Sequence, residues 1–327
     1  MKLPRRRFLH LAAGAVALPA VSRIARAQTY PTRPITMIVS YPPGGPVDAA
    51  ARIFAERMRT SLGGTIIVEN VSGADGSIGT GRVARSPPDG YTIDFGAAPA
   101  HVLNGALYSL RYDVLNDFAP IASLGSSPYV LFARKSMPAD DLNELIAWLK
   151  ANPDKASAGN PGSTAVKLIT AFFQKQTATK FTIVPYRGAA PAMQDLVAGQ
   201  IDLIFANPPF LALARDGKIK AYAVTSVTRL AVAPNIPTLA EMGLPALSSS
   251  SWYGLFAPKG TPKDTIGKLN AASGQALADP AVRSRLADLG VEIFPRERQT
   301  PEALSALVKA DAEKWWPIIK ELGIEAK

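Results

Sequence analysis

The chain contains no cysteine and only two histidines, His10 and His101, among its 327 residues. Without cysteine, its stability must come from a packed core rather than from disulfides. With so few histidines, a Cys/His metal cluster is excluded, and a Ser-His-Asp triad beyond the N-terminal segment would depend on His101 alone. The sequence is therefore poor in the side chains on which most enzymes rely.

Residues 1–27 have the features of an export signal. Residues 5–7 are three arginines, residues 8–20 are a short apolar stretch, and residues 25–27 have the small-x-small form of a cleavage site. The stretch is too short to span a membrane. The arginine pair followed by Phe8 and Leu9 resembles a twin-arginine signal, although an ordinary secretory signal with extra arginines explains the same residues. Both place the mature chain, starting at Gln28, in the periplasm.

The signal also accounts for most of the positive charge. It holds six of the 36 Lys and Arg residues and no acid, which leaves 30 basic against 26 acidic residues and a mature net charge of about +4. That balance attracts an acidic ligand only weakly. No run of Lys and Arg with interleaved aromatic residues occurs, so we expect no nucleic-acid partner.

Residues 41–48, Tyr-Pro-Pro-Gly-Gly-Pro-Val-Asp, are the most informative segment of the chain. An apolar run of strand length, 35–40, precedes them, and an amphipathic run, 49–58, follows. This strand–loop–helix order leaves backbone N–H groups free at the helix start and aims the positive end of the helix dipole outwards, which suits an anion. The loop has neither of the common glycine-rich phosphate patterns, so a small carboxylate is a better hypothesis than a nucleotide.

Strands and helices alternate along the rest of the chain. The pattern predicts a mostly parallel sheet covered on both faces, and a second lobe that repeats it. An Asp141-x-x-Glu144 capping box begins one second-lobe helix. The predicted strands after the first are residues 65–70, 91–96, 181–185, 201–206 and 221–226, and two further glycine-rich loops cover 72–79 and 158–164.

Two extended apolar segments, 127–133 and 251–258, have the character of crossings between lobes. They predict a discontinuous first lobe, residues 28–127 plus 252–327, and a second lobe of residues 128–251. In such bilobed α/β proteins the ligand lies between the lobes, at the carboxyl ends of the strands. A C-terminal helix with one apolar stripe contains the Trp315-Trp316 pair, which we interpret as packing against the core rather than as a ligand platform.

A series of short motifs runs from Tyr30 to the C-terminus in a fixed order. Together they resemble the Bug family, also called TctC, of solute-binding proteins from tripartite tricarboxylate transporters. The motifs are Pro42-Pro43-Gly44-Gly45-x-x-Asp48, Gly73-Ala74-x-Gly76, Pro87-Pro88-Asp89-Gly90-Tyr91-Thr92, Val184-Pro185-Tyr186-Arg187-Gly188, Asp195-Leu196-x-x-Gly199-Gln200-x-Asp202 and Trp252-x-Gly254.

The resemblance implies a type II-like periplasmic binding protein, a monomer of two α/β lobes that close on a small carboxylate. It implies a membrane permease as partner, no enzymatic activity, no cofactor and no metal. Backbone amides, small hydroxyls and ordered waters would hold the carboxyl groups, because such donors are fixed by the fold and cost little side-chain entropy. The predicted ligand-binding residues are Tyr41, Pro43, Gly44, Gly45, Asp48, Ala98, His101, Gly159, Ser163, Thr164, Arg187 and Asn207.

Several of these residues have a second interpretation. Asp48 either caps the first helix or holds a water or a donor group of the ligand. His101 either donates to a carboxylate or forms a structural hydrogen bond. Tyr41 either stacks on an aromatic ligand or only walls the cleft. Arg187 is the one cation near a cleft loop, and an ordinary salt bridge explains it as well. Ser163 and its neighbour can cap a helix and contact the ligand together, since the helix start faces the cleft.

Two departures from the family pattern remove polarity near the cleft. The family commonly carries a histidine shortly after the second-lobe glycine loop, where this chain has residues 163–168, Ser-Thr-Ala-Val-Lys-Leu. It also commonly carries an acidic residue before Asn207, where this chain has Ala206. We therefore hypothesise a ligand less polar than citrate, such as a monocarboxylate or an aromatic acid.

Two other classes of function remain open from the sequence. Twin-arginine export often serves enzymes with cofactors, so an exported enzyme acting on a carboxylate is one alternative. The second is a sensor whose ligand-bound form docks on a receptor kinase instead of a permease. Sequence does not separate sensing from transport, because both use the closed form as the signal.

Overall fold

The computed structural model describes residues 30–324, so the predicted signal peptide lies outside the described residues. Two separate sheets organise this part of the chain, one of six strands and one of five. The strands are β1 (Ile35–Val39), β2 (Ile66–Asn70), β3 (Thr92–Ala97), β4 (Phe118–Pro128), β5 (Val130–Arg134), β6 (Ser157–Asn160), β7 (Thr182–Pro185), β8 (Leu203–Ala206), β9 (Ile219–Val224), β10 (Ser250–Pro258) and β11 (Glu292–Ile293).

Helices cover both sheets. A π-helical turn, Pro99–Leu103, leads directly into the short third helix. Between residues 30 and 324, no helix has both the length and the apolar content that a membrane crossing needs. The helices are α1 (Pro46–Leu62), α2 (Ser77–Ala84), α3 (Asn104–Leu107), α4 (Leu142–Ala151), α5 (Thr164–Thr177), α6 (Ala189–Ala198), α7 (Leu211–Arg215), α8 (Lys263–Ala278), α9 (Pro280–Asp288) and α10 (Pro301–Glu321).

The strand order is β11-β4-β10-β3-β1-β2 in the larger sheet and β7-β6-β8-β5-β9 in the smaller one. We call the parts built on these sheets the first and the second lobe. The predicted bilobed α/β fold is confirmed, but the sheets are mixed rather than mostly parallel. Parallel pairing is confined to β1 with β2 and β3, and to β6 with β7 and β8. Every other pair is antiparallel and includes β4, β5 or β10, the strands that contain the two crossings between the lobes.

Local sequence signals explain where the helices begin and end. Pro46 is the first residue of α1, where its missing N–H costs nothing, and Gly63 ends the helix in the left-handed conformation at φ 65°. The predicted capping box of α4 is present: Asp141 Oδ1 accepts from the N–H of Glu144 at 2.9 Å. The Glu144 carboxylate in turn accepts from the N–H of Asp140 at 2.7 Å, one residue earlier than in the usual box.

One hydrophobic cluster runs through both lobes, so the lobes pack on each other. The apolar stripe of α10 lies in this cluster, and Trp315 meets Phe172 of α5 edge to face at 6.2 Å. Trp316 donates its Nε1–H to the carbonyl of Val102 at 2.9 Å. The interpretation of this tryptophan pair as a packing surface is therefore confirmed.

The two crossings lie side by side. Ser250 of β10 is paired with Pro128 of β4, so the chain leaves the first sheet and returns to it at neighbouring positions. Thr225 ties them together, since its hydroxyl accepts from the N–H of Tyr129 at 2.8 Å and donates to the carbonyl of Ser249 at 2.6 Å. The division of the chain after residues 127 and 251 stays a prediction.

Candidate ligand-binding site

Asp48 organises the loop that links β1 to α1. Its buried carboxylate accepts hydrogen bonds from the N–H of Gly44 at 2.8 Å and from Asn70 Nδ2 at 2.9 Å. Arg52, one helical turn further on, adds an ion pair at 2.9 Å. Burial alone would raise the pKa of Asp48, but these donors together hold it below its ordinary value. Asp48 is thus an ionised residue that holds the loop in place through these hydrogen bonds. It does not cap α1, since Gly45 occupies the N-cap position.

The glycine N–H groups of this loop point into the loop itself. Gly44 takes the left-handed conformation, at φ 78°, which lets its N–H reach Asp48. The N–H of Gly45 lies 3.4 Å from the carbonyl of Pro42, and Pro43 is exposed at the tip. Pro46 has no N–H, and the N–H of Ala49 already bonds the carbonyl of Gly45. The free backbone N–H groups in the first turn of α1 therefore belong to residues 47 and 48.

Tyr41 connects the first loop to two others. Its phenol oxygen accepts a hydrogen bond from the N–H of Ala100 and lies 3.5 Å from the carbonyl oxygen of Asp75. Burial raises the pKa of Tyr41 well above its ordinary value, and the nearby carboxylates of Asp75 and Asp94 add to the rise. Tyr41 is therefore a neutral phenol that joins the first loop to Ala100 and Asp75.

The loop between β2 and α2 has an uncommon backbone. Four consecutive residues, Gly73, Ala74, Asp75 and Gly76, have positive φ angles of 135°, 47°, 47° and 92°. A Cβ on Gly76 would lie 2.9 Å from the Cβ of Ala100, so both the conformation and the space require glycine there. A left-handed alanine beside a left-handed aspartate is uncommon, and the strain of such a backbone persists only where the surroundings impose it.

Asn104 supplies part of that constraint. The side chain is wholly buried, and its Nδ2 donates to the carbonyl of Asp75 at 2.9 Å and lies 2.8 Å from the hydroxyl oxygen of Ser77. The Oδ1 atom of Asn104 is buried with no hydrogen-bond partner among residues 30–324. Asn104 thereby fixes the loop that carries Asp75.

The structure places His101 in the core of the first lobe rather than at the cleft. Its side chain is 0 % exposed, and Nε2 lies 2.9 Å from Asp94 Oδ2. The ring stacks on Phe256 with centroids 3.8 Å apart and meets Phe118 edge to face. The side chain faces inwards because the segment winds as a π-helical turn that follows β3 directly. Ala98, at the start of that turn, is also largely buried.

The second lobe meets the first at the start of α5. The N–H of Thr164, the first residue of α5, donates to Asp75 Oδ2 at 3.1 Å, and the Thr164 hydroxyl also bonds that carboxylate. Burial raises the pKa of Asp75, and these bonds from Thr164 offset the rise in part. A carboxylate of one lobe thus lies on the positive helix end of the other.

Ser163 is the N-cap residue of α5, but its side chain makes no capping hydrogen bond. Its hydroxyl instead bonds the phenol of Tyr129, which also bonds Ser251 on the second crossing. Gly159 lies within β6, where a Cβ would come within 2.7 Å of Ile201 Cδ1, so its smallness serves packing. The hydroxyls of residues 129, 163 and 251 therefore meet where the two crossings join the lobes.

The last two predicted residues follow β8 and β7, the strands that flank β6 in the smaller sheet. Asn207 follows β8, and its Nδ2 donates to the hydroxyl of Ser127 at 3.0 Å, across the two lobes. Arg187 is exposed after β7, and none of the ion pairs formed within residues 30–324 includes it. Within the same residues, no group of three His, Asp or Glu side chains is placed to hold a metal ion.

Sequence reasoning missed three residues of this site: Asp75, Asn104 and Tyr129. An aspartate inside a glycine-rich loop, directly after a strand parallel to β1, was the available signal for Asp75. Asn104 and Tyr129 gave no such signal, since their partners lie 27 to 122 residues away along the chain. A small cavity of about 20 Å³ beside Tyr129 has room for about one water.

Comparison with known proteins assigns the family. A sequence profile described as "Tripartite tricarboxylate transporter family receptor", TctC, matches residues 50–324. The chain belongs to this family. Protein BugT of Bordetella pertussis is 35 % identical over 316 residues, which cover 95 % of this chain and 96 % of BugT. TctC proteins of this kind bind a solute and are not enzymes.

Two solved structures extend the likeness to the fold of this TctC protein. The periplasmic binding protein BugD superposes with a TM-score of 0.79 at 38 % identity, covering 91 % of this chain and all of BugD. MatC of Rhodopseudomonas palustris, solved with bound malate, superposes with a TM-score of 0.78 at 36 % identity, covering 89 % of this chain and all of MatC. The chain is therefore a solute-binding protein with the periplasmic binding protein fold.

Proposed function

We propose that this protein captures a small organic acid in the cleft between its lobes and delivers it to the membrane permease of a tripartite tricarboxylate transporter. It acts in the periplasm, as a monomer. The contact between Asp75 and the start of α5 carries the proposal, because a carboxylate there accepts the first N–H of the helix at 3.1 Å. The same donors suit a carboxyl group of a ligand.

The proposed contacts come from both lobes. The first lobe offers Tyr41, the 43–48 loop and the turn that starts at Ala98, and the second lobe offers Ser163 and Thr164. Gly159, Asn207 and Arg187 lie on neighbouring second-lobe elements and complete the proposed surface. The bound malate of the related MatC supports an acid as ligand. The alanine before Asn207 supports one less polar than citrate.

A thermal-shift screen of the protein without residues 1–27 tests the carboxylate. Monocarboxylates, dicarboxylates and aromatic acids are compared with neutral sugars of similar size. A ligand present at 100 times its Kd adds about 2.7 kcal/mol to the free energy of unfolding, which gives a clear rise in Tm. A sugar that raises Tm while every acid leaves it unchanged would overturn the proposal.

Delivery to a permease is tested separately, with the protein as it exists in cells. Deletion of its gene should abolish uptake of the identified acid, and supplying the exported protein should restore it. If uptake is unaffected while a transcriptional response to the acid is lost, the protein is a sensor instead. The carboxylate assignment would survive that result.

A further inference from the structure

Asp75 occupies the one position that the Gly73-Ala74-x-Gly76 motif leaves open. Its backbone is left-handed, at φ 47°, and the side chain of Asn104 fixes its carbonyl at 2.9 Å. The loop therefore has one orientation, and that orientation directs the carboxylate across the cleft to the start of α5. Asparagine or glycine would tolerate the same backbone conformation but would lack this charge.

The charge of Asp75 conflicts with a second negative group in the closed cleft. Asp75 already uses the N–H and the hydroxyl of Thr164, which an entering carboxylate also needs. Two carboxylates that share a partly buried site repel each other strongly, because little water screens them. A ligand with two carboxyl groups would bring a third into the same space.

Two buried amide oxygens lack donors in the described part of the chain. Asn104 Oδ1, beside the Asp75 loop, and Asn160 Oδ1, at the carboxyl end of β6, are buried with no partner among residues 30–324. The Nδ2 of Asn104 contacts three oxygens, which fixes the orientation of its amide. Buried acceptors without partners are costly, so this region favours a ligand group that donates over one that only accepts.

We propose that Asp75 is a specificity-determining residue that favours a monocarboxylate carrying a protonated amine over a dicarboxylate. This inference rests on the proposed carboxylate-binding function. The ligand carboxylate takes the first-turn donors of α5 near Thr164, and the Asp75 carboxylate rotates to accept from the ligand ammonium. Only side-chain torsions change, since the left-handed backbone and Asn104 hold the loop in place.

Two matched ligand series test the inference by calorimetry on the protein without residues 1–27. One is pentanoate, 5-aminopentanoate, 2-aminopentanoate and glutarate; the other is benzoate, 4-(aminomethyl)benzoate and terephthalate. We expect an aminated acid to bind at least about tenfold more tightly than its parent and its dicarboxylate, because hydrogen bonds between charged groups are the strong ones. In Asp75→Asn this preference should fall below about threefold, and dicarboxylates should bind more tightly than in the wild type.

Asn is the appropriate replacement, because it tolerates the left-handed conformation of Asp75 and keeps one acceptor oxygen. Asp216→Asn, the same change at an exposed second-lobe position, is the matched control and should leave the preference unaltered. If acids bind but dicarboxylates equal the aminated acids, or Asp75→Asn keeps the preference, only this inference fails. If no acid of either series binds, the proposed function fails with it. The wild-type series decides the preference even if the variant folds poorly.

Discussion

His101 and Asp94 form a hydrogen bond of 2.9 Å in the interior of the first lobe, where both side chains are 0 % exposed. Asp94 is on β3, and His101 is on the turn that follows it. Gly96 lies between them, and a Cβ there would come within 2.3 Å of His101 Nε2. The pair thus fixes the turn that begins at Ala98 against the sheet beneath it.

His101→Ala is expected to destabilise the protein by about 2–5 kcal/mol, because Asp94 loses its hydrogen bond of 2.9 Å and the missing ring leaves a cavity beside Phe256. Urea denaturation of the variant measures the loss, and the double variant with Asp94→Ala should lose less than the sum of the two single changes. Affinity for the ligand should change little. A large loss of affinity with little loss of stability would place His101 in contact with the ligand.

Asp48→Asn is expected to lower the free energy of unfolding by about 1–3 kcal/mol at pH 7, since the ion pair to Arg52 is lost and the Asn70 contact weakens. The pKa of Asp48 is lower in the folded than in the unfolded protein. Its ionisation therefore stabilises the fold above the unfolded pKa of about 3.8, and that contribution disappears as pH falls through the folded pKa.

The difference in stability between wild type and Asp48→Asn should therefore shrink below about pH 4. Denaturant titrations from pH 3 to pH 7 measure it. Asp216→Asn, at an exposed site, is the control and should show little dependence on pH. A difference that is constant over this range would mean that Asp48 does not hold the loop in its ionised form.

Gly76→Ala should destabilise the protein by about 1–3 kcal/mol and weaken ligand binding, because the residue has φ 92° and no room for a Cβ beside Ala100. Gly267→Ala is the matched control: the residue is exposed in α8, and a Cβ there meets nothing within 4 Å. This control should stabilise the protein by about 0.4–1 kcal/mol. Equal effects in both variants, measured by denaturation, would contradict the account of the loop.

Thr164→Pro should weaken the contact between Asp75 and the start of α5, so that the lobes of the ligand-free protein separate more readily. Proline is tolerated at the first position of a helix, and Ser163 before it is already extended, at φ −97° and ψ 127°. The change removes the N–H that Asp75 accepts from, while Thr164→Val removes only the hydroxyl. Small-angle scattering should show a larger radius of gyration for the proline variant, with the valine variant intermediate. Identical radii in all three proteins would show that this contact does not hold the lobes together.

The fold was largely predictable because its signals are local. Each signal depends on neighbours within a few residues. Examples are the apolar run before residue 41, the capping box at Asp141, and the prolines and glycines at helix ends. The antiparallel strands at the crossings were not predicted, since pairing of Pro128 with Ser250 joins segments 122 residues apart. Strand pairing at such separations leaves no periodic trace in the sequence.

The site was less predictable than the fold. Loop positions followed from strand ends, but the side-chain directions did not: His101 turns into the core and Asp75 turns out to the other lobe. Both outcomes depend on backbone geometry, a π-helical turn in one case and consecutive left-handed residues in the other. Neither conformation follows from residue type, because π turns and left-handed alanine are uncommon.

Because Pro128 pairs with Ser250, all five strands of the smaller sheet lie in one uninterrupted stretch of chain between these two residues. A short turn joining these two residues would close β4 and β10 into an ordinary hairpin and leave the strand order of the six-stranded sheet intact. The second-lobe side of the cleft is therefore encoded by one contiguous stretch of sequence, and any replacement must also rebuild the hydrophobic cluster that it shares with α10. Recombination or design could then give the same first lobe, with its Asp75 loop, a different opposing surface and so a different ligand range.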